Sequence, residues 1–219
     1  RALYDTARDA GITVYDHADI YGGAPHVCEA RFGDALKLTA AERSEIILQS
    51  KVGIRPGYFD FSKEHILKVV DGSLAALKTD YLDILLLHRP DPLVEPDEVA
   101  RAFDVLHASG KVRHFGVSNH TPGQIDLLRR HVHQPLVAHQ VEISLLHLPL
   151  IDDGVVANTT GHAYASAAGT LDHARLHDIR LQAWAPLAGG RLAMASGFAD
   201  PVVRETSTLL RQRAEAHSV

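Results

Sequence analysis

Polarity along the chain switches repeatedly between two periods. Short apolar runs, "ITVYD" (12–16), "EIILQSK" (45–51), "YLDILLLH" (81–88), "VRHFGVS" (112–118), "LVAHQVE" (136–142) and "IRLQAWA" (179–185), alternate with stretches whose apolar residues recur at helical spacing. That alternation predicts six strands joined by helical crossovers, hence an α/β fold with a parallel sheet. The helical stretches carry their own punctuation. Ser62 can cap "KEHILKVVDGSLAALK", and Gly110 can end "PDEVARAFDVLHASG". In "TPGQIDLLRRH", Thr121 at the N-cap, Pro122 at N1 and Gln124 at N3 form a capping box.

A doubly wound sheet and a closed (β/α)8 TIM barrel both fit this rhythm. The first needs a phosphate-binding GxGxxG after an early strand, and the sequence has none, which favours the barrel. Such barrels have eight strands and typically about 250 residues. With six strands read in 219 residues, the expectation is an incomplete barrel whose first and last strands lie outside this sequence. The chain opens without methionine on "RALYDTARDAG", a helical pattern closed by Gly11, and stops in a second helical pattern, "LLRQRAEAHSV". Residues 154–169, "GVVANTTGHAYASAAG", are small and polar and read as a loop inserted into a single domain spanning 1–219; the "NTT" within it reads as a chance sequon.

Composition narrows the partners. The chain is 46% hydrophobic, enough for a substantial core, and its net charge of −5 comes without a block of like charge. That balance argues against nucleic acid and against an anionic membrane surface, and points to a small-molecule partner. The lone cysteine, Cys28, excludes an internal disulfide framework. Neither an apolar run of about 18 residues nor a signal-like start is present in the sequence, so a cytoplasmic location is expected. Fifteen histidines invite a metal reading; His173 and His177 in "HARLH" sit one helical turn apart, but no third ligand stands in register, and no metal is expected.

Barrel enzymes place their chemistry at the C-terminal ends of the strands. Here those ends read Asp16, Lys51, His88, Ser118 with Asn119, Gln140 and Trp184. Polar residues commonly follow buried strands simply because the chain is leaving the core. The combination is more specific. An aspartate, a lysine and a histidine on three consecutive strands, with Tyr21 in the turn "DHADIYGG", compose a proton-donor set: the lysine's charge favours tyrosinate, and the carboxylate holds the lysine. Asp19 reads as a turn residue rather than a second acid, and His17 as a neighbour shaping the mouth. Arg55, Tyr58 and Phe59 follow the Lys51 strand, where a loop can either wall a pocket or lie in solvent.

In order and spacing, "YDHADIYGG", "LQSKVGIRPG", "YLDILLLHRPD", "GKVRHFGVSNHT", "HQVEISLLH" and "AWAPLAGGRL" resemble the aldo-keto reductase family over nearly the whole chain, and "DHADIYGG" and "LAGG" look like a bacterial branch of predicted oxidoreductases. The resemblance implies Asp16, Tyr21, Lys51 and His88 as a catalytic tetrad reducing an aldehyde or ketone, with Tyr21 as proton donor and His88 orienting the substrate oxygen. It implies Ser118, Asn119 and Gln140 at the nicotinamide carboxamide, Trp184 stacking on the ring, and backbone around Leu187, Gly189 and Gly190 at the pyrophosphate. NADP(H) is the cofactor that this family usually prefers; the region that would grip its 2′-phosphate lies beyond the sequence. The family's fold is also used by regulatory subunits of potassium channels, so a cofactor-binding module is the alternative, and an inactive remnant a third. With the two end strands outside the sequence, the unpaired edges predict low stability, association and weak cofactor binding.

Overall fold

In the computed structural model, the structure describes residues 1–155, 168–193 and 200–217. Six strands hydrogen-bond in one sheet: β1 (Val14–Asp16), β2 (Ile47–Val52), β5 (Leu82–Leu87), β6 (Val112–Ser118), β7 (Leu136–Glu142) and β8 (Arg180–Trp184), in that order. The pairs β1/β2, β2/β5 and β5/β6 are parallel. A sheet whose spatial order follows chain order, with helices in the crossovers, is the fold of an incomplete (β/α)8 barrel. A separate hairpin, β3 (Ile54–Arg55) with β4 (Tyr58–Phe59), interrupts the rhythm after β2.

The chain divides into two compact units, Arg1–His139 with Asp178–Arg180, and Gln140–His177 with Leu181–Val219. The first contains α1 (Ala2–Asp9), α2 (Val27–Leu36), α3 (Ala40–Ser44), α4 (Lys63–Leu77), α5 (Pro96–Ala108) and α6 (Pro122–Arg129). Its core is built from strands apolar on both faces, as parallel strands covered by helices require. Leu48, Val52, Leu82, Leu86, Leu87, Phe115 and Val117 are fully buried, and Phe103 of α5 stacks on Phe115 at 4.0 Å. Helices α2 and α4 approach so closely that a Cβ on Gly33 would stand 2.3 Å from the Ala76 carbonyl oxygen. The expected caps form: Ser62 accepts from the His65 amide, and Thr121 and Gln124 make the reciprocal capping box, an arrangement that contributes about 1 kcal/mol.

The second unit holds the end of β7, most of β8, and α7 (Pro149–Val155), α8 (Thr170–Leu176) and α9 (Pro201–Ala216). Leu150, Ala174, Leu192 and Val203 are buried in it, and Asp200 caps α9 by accepting from the Val202 amide. Of the loop expected at 154–169, Gly154 and Val155 close α7 and residues 168–169 turn into α8; the stretch between them lies outside the described residues.

Two readings of local structure need correction. The first strand starts at Val14 rather than residue 12, because the Ile12 amide is already committed to closing α1 through the Ala7 carbonyl. The hairpin was not expected, although "RPGY" announces it: Pro56 followed by Gly57 at φ 84° suits the central positions of a type II turn. Tyr58 and Phe59 on it are exposed. Among the described residues, no helix is long and apolar enough to cross a membrane.

Candidate active site

Strand register assembles the site. Asp16 on β1 pairs with Gln49 on β2, and Lys51 follows Gln49 by two residues, so all three side chains share a face. Gln49 Nε2 donates to Asp16 Oδ1 at 2.6 Å, and Lys51 Nζ donates to Asp16 Oδ2, also at 2.6 Å. Lys51 has no exposed surface, a position that an ammonium holds only if its three protons find acceptors. They do: beyond Asp16, the His17 carbonyl accepts at 2.9 Å and the Tyr21 hydroxyl at 3.3 Å. The turn "DHADIYGG" therefore folds over the end of β2 so that one buried cation holds a carboxylate, a carbonyl and a phenol.

Tyr21 retains 37% of its surface, so its hydroxyl, anchored on the lysine, lies at the boundary with solvent. The imidazole of His88, just past β5, stands edge-on to its ring at 5.8 Å between centroids. Burial, then the Lys51 charge, pushes the His88 pKa down to about 4, which keeps this ring neutral at pH 7. Its Nδ1 is buried without a hydrogen-bond partner among the described residues. Ser118, the last residue of β6, is buried, and Asn119 just past it adopts a left-handed backbone at φ 60°. Asn119 Nδ2 donates to Ser118 Oγ at 2.8 Å and lies 3.5 Å from the His88 carbonyl oxygen, which ties two strand ends together.

In the second unit, Gln140 is buried and donates from Nε2 to Gln182 Oε1 at 3.3 Å. Trp184 ends β8 half-buried. The turn after it runs through four left-handed residues, Ala185, Ala188, Gly189 and Gly190, with Leu187 exposed. A Cβ on Gly189 or Gly190 would meet nothing within 4 Å, so the backbone there is open to an approaching group.

Asp16, Lys51 and His88, expected from three strand ends, and Tyr21, expected from the turn between them, thus lie within one unit, as do Ser118 and Asn119. Two functional atoms were missed in the sequence: the Gln49 amide that orients Asp16, and the His17 carbonyl. Strand alternation from Lys51 back to Gln49 is a signal that could have found the first; a backbone carbonyl leaves none. Asp19 does occupy a turn, but it is 5% exposed, and burial together with Glu29 raises its pKa to about 6.

Comparison with known proteins gives the family of the chain. The profile of the Aldo/keto reductase family matches residues 1–215. Oxidoreductase YdhF of Escherichia coli is 47% identical over 192 residues, 84% of this chain and 59% of that protein. The uncharacterized oxidoreductase YcsN of Bacillus subtilis is 41% identical over 213 residues, 93% of this chain and 65% of its own length. The chain thus spans about three-fifths of these relatives. Among solved structures, the holo form of aldo-keto reductase AKR11C1 from Bacillus halodurans superimposes with a TM-score of 0.71 at 26% identity, over 91% of this chain and 60% of that one. Six strands of a (β/α)8 barrel, a buried lysine joining an aspartate to a tyrosine, and a family match along nearly the whole sequence lead to one conclusion: the chain belongs to the Aldo/keto reductase family.

Proposed function

We propose that this chain carries the catalytic residues of an NADP(H)-dependent reductase of aldehydes or ketones, within one barrel domain, and that Tyr21 is the proton donor. The observation that carries the reading is the fully buried Lys51 ammonium, placed 2.6 Å from Asp16 and 3.3 Å from the Tyr21 hydroxyl. A buried cation facing a partly exposed phenol has an evident use: it stabilises the tyrosinate left behind when the phenol gives up its proton.

A nicotinamide nucleotide supplies the hydride in this chemistry. Each unit by itself offers groups of the kinds such a nucleotide needs: Ser118 and Asn119 in the first, and Gln140, Trp184 and the open turn at Leu187, Gly189 and Gly190 in the second. Polar amides and a hydroxyl suit a carboxamide, an indole suits a ring face, and open backbone suits a pyrophosphate. NADP(H) rather than NAD(H) is the family's usual preference and enters on that ground.

During reduction the carbonyl π bond breaks, hydride completes a C–H bond, and the Tyr21 O–H proton completes the alcohol O–H. His88, neutral at pH 7, still carries one ring N–H that can donate to the substrate oxygen, without competing as the acid. Lys51 holds the resulting tyrosinate, and Asp16, fixed by Gln49, keeps the lysine aimed. Oxidation of an alcohol runs the same steps backwards.

The test is oxidation of NADPH and of NADH by the intact protein over a panel of aldehydes and ketones, beside its Tyr21→Phe variant. Turnover that Tyr21→Phe abolishes while nucleotide binding persists is the expected outcome. Turnover undiminished in that variant would remove Tyr21 from the mechanism, and nucleotide binding without turnover in either protein would favour a cofactor-binding module.

A further inference from the structure

One fully buried acid takes no part in the chemistry above. Glu29, in the first turn of α2, has no exposed surface, yet both of its carboxylate oxygens are engaged. Oε1 accepts from Ser50 Oγ at 2.5 Å, and Oε2 lies 2.6 Å from His26 Nδ1. Ser50 is the residue before Lys51 on β2, so strand alternation turns it away from the lysine and toward the helix layer. His26 is the residue from which α2 begins.

Those two contacts bracket the loop that carries Tyr21. At its start, the His17 amide donates to the Gln49 carbonyl at 2.8 Å and the Asp19 amide to the Lys51 carbonyl at 3.3 Å. At its end, the His26 amide donates to the Asp19 carbonyl at 2.6 Å and the Cys28 amide to the Tyr21 carbonyl at 3.0 Å. The second pair depends on where α2 begins, and that is where Glu29 acts. His26 holds a left-handed backbone, φ 61°, which a non-glycine residue keeps only when its surroundings impose it. Here they do so from two sides: Glu29 holds Nδ1, and α4 leaves the ring just enough room, since a Cβ on Gly72 would stand 2.5 Å from His26 Nε2.

We infer that Glu29 is a positioning residue for Tyr21: by clamping His26 at the start of α2 to Ser50 beside Lys51, it fixes the distance between the phenol and the buried ammonium. The inference rests on the reading of Tyr21 as proton donor. Its consequence is kinetic. Loosening the clamp displaces the phenol while leaving the nucleotide-binding residues untouched, and a displacement of about 1 Å at a reacting group costs up to about a hundredfold in rate.

The experiment compares the intact wild-type protein with Glu29→Gln, Ser50→Ala and Gly72→Ala, the last displacing His26 without altering the acid. Carbonyl reduction is followed with NADPH and with its 4-deuterated form, nucleotide affinity by fluorescence quenching, and folded fraction by circular dichroism. A fall in kcat of at least about tenfold per folded molecule is expected, with KM and nucleotide affinity little changed and a larger deuterium isotope effect on kcat, because the chemical step becomes limiting. A purely structural role predicts kcat falling only with the folded fraction and an unchanged isotope effect; that result in the variants that fold overturns the inference, as does wild-type kcat in Ser50→Ala and Gly72→Ala. If Glu29→Gln does not fold, the other two variants decide. Tyr21→Phe, run alongside, separates the two readings: its full activity would refute the proton-donor role itself, whereas an inactive Tyr21→Phe beside fully active clamp variants would refute the clamp alone.

Discussion

Replacing Lys51 by methionine keeps most of the side chain's volume and removes its charge. The Lys51 ammonium stands 3.3 Å from the Tyr21 hydroxyl. At an effective dielectric of about 20, a unit charge at that distance is worth about 5 kcal/mol to a tyrosinate, a ceiling between three and four orders of magnitude in rate. In the proposed role of Tyr21 as proton donor, the proton is only partly transferred in the transition state, and the expected loss in kcat/KM is on the order of 10³-fold. Stability should fall much less. Asp16 keeps its bond from Gln49 and has 35% of its side chain exposed, so solvent can stabilise the orphaned carboxylate. A loss of about 1–2 kcal/mol is expected, below the usual cost of breaking a fully buried pair. Loss of NADPH absorbance with a reactive aldehyde measures the first quantity and urea unfolding the second. A folded Lys51→Met protein within about tenfold of wild-type kcat/KM would refute the electrostatic role assigned to the lysine.

Two buried groups should give opposite pH signatures. His120, 4% exposed, has its pKa pushed by burial from 6.5 to about 4, so the unfolded chain takes up the proton first and stability is lost as pH falls through that interval, by up to about 3 kcal/mol; urea midpoints between pH 7 and 4 should flatten in His120→Gln, and an unaltered slope would refute this. Asp19 is raised from 3.8 to about 6, so the folded state holds its proton more tightly and ionisation costs stability as pH rises from about 4 to 6; Asp19→Asn should therefore gain on the wild type by up to about 3 kcal/mol between pH 4 and pH 7, and a pH-independent difference would count against it. Gly33→Ala should destabilise by about 1–3 kcal/mol in thermal or urea unfolding even though alanine is the better helix former, because its Cβ would meet the α4 backbone; a more stable variant would show that α2 can move away.

The sequence alone determined what is local or periodic. The six apolar runs became six strands, Thr121 and Gln124 formed their box, and the residues at the strand ends were legible because a strand that leaves a parallel sheet presents its last side chains to one rim. Asp16, Lys51 and His88 are readable as candidates for the same reason, since Asp16 ends β1, Lys51 lies near the end of β2 and His88 stands just past β5; Tyr21, five residues beyond Asp16 in a turn, joins them through the family pattern. The hairpin at 54–59 is marked in the sequence only by its turn residues; its strands of two residues are too short for periodicity to register. Tertiary structure decided the rest. Gln49 reaches Asp16 across 33 positions of sequence, Ser50 reaches Glu29 across 21, and the His17 carbonyl accepts a hydrogen bond from Lys51 across 34. No local propensity encodes those distances. They follow from the register of β1 on β2 and from the close seat of α2 against α4, and only once both are set does a buried ammonium find three acceptors, or a buried carboxylate find two partners.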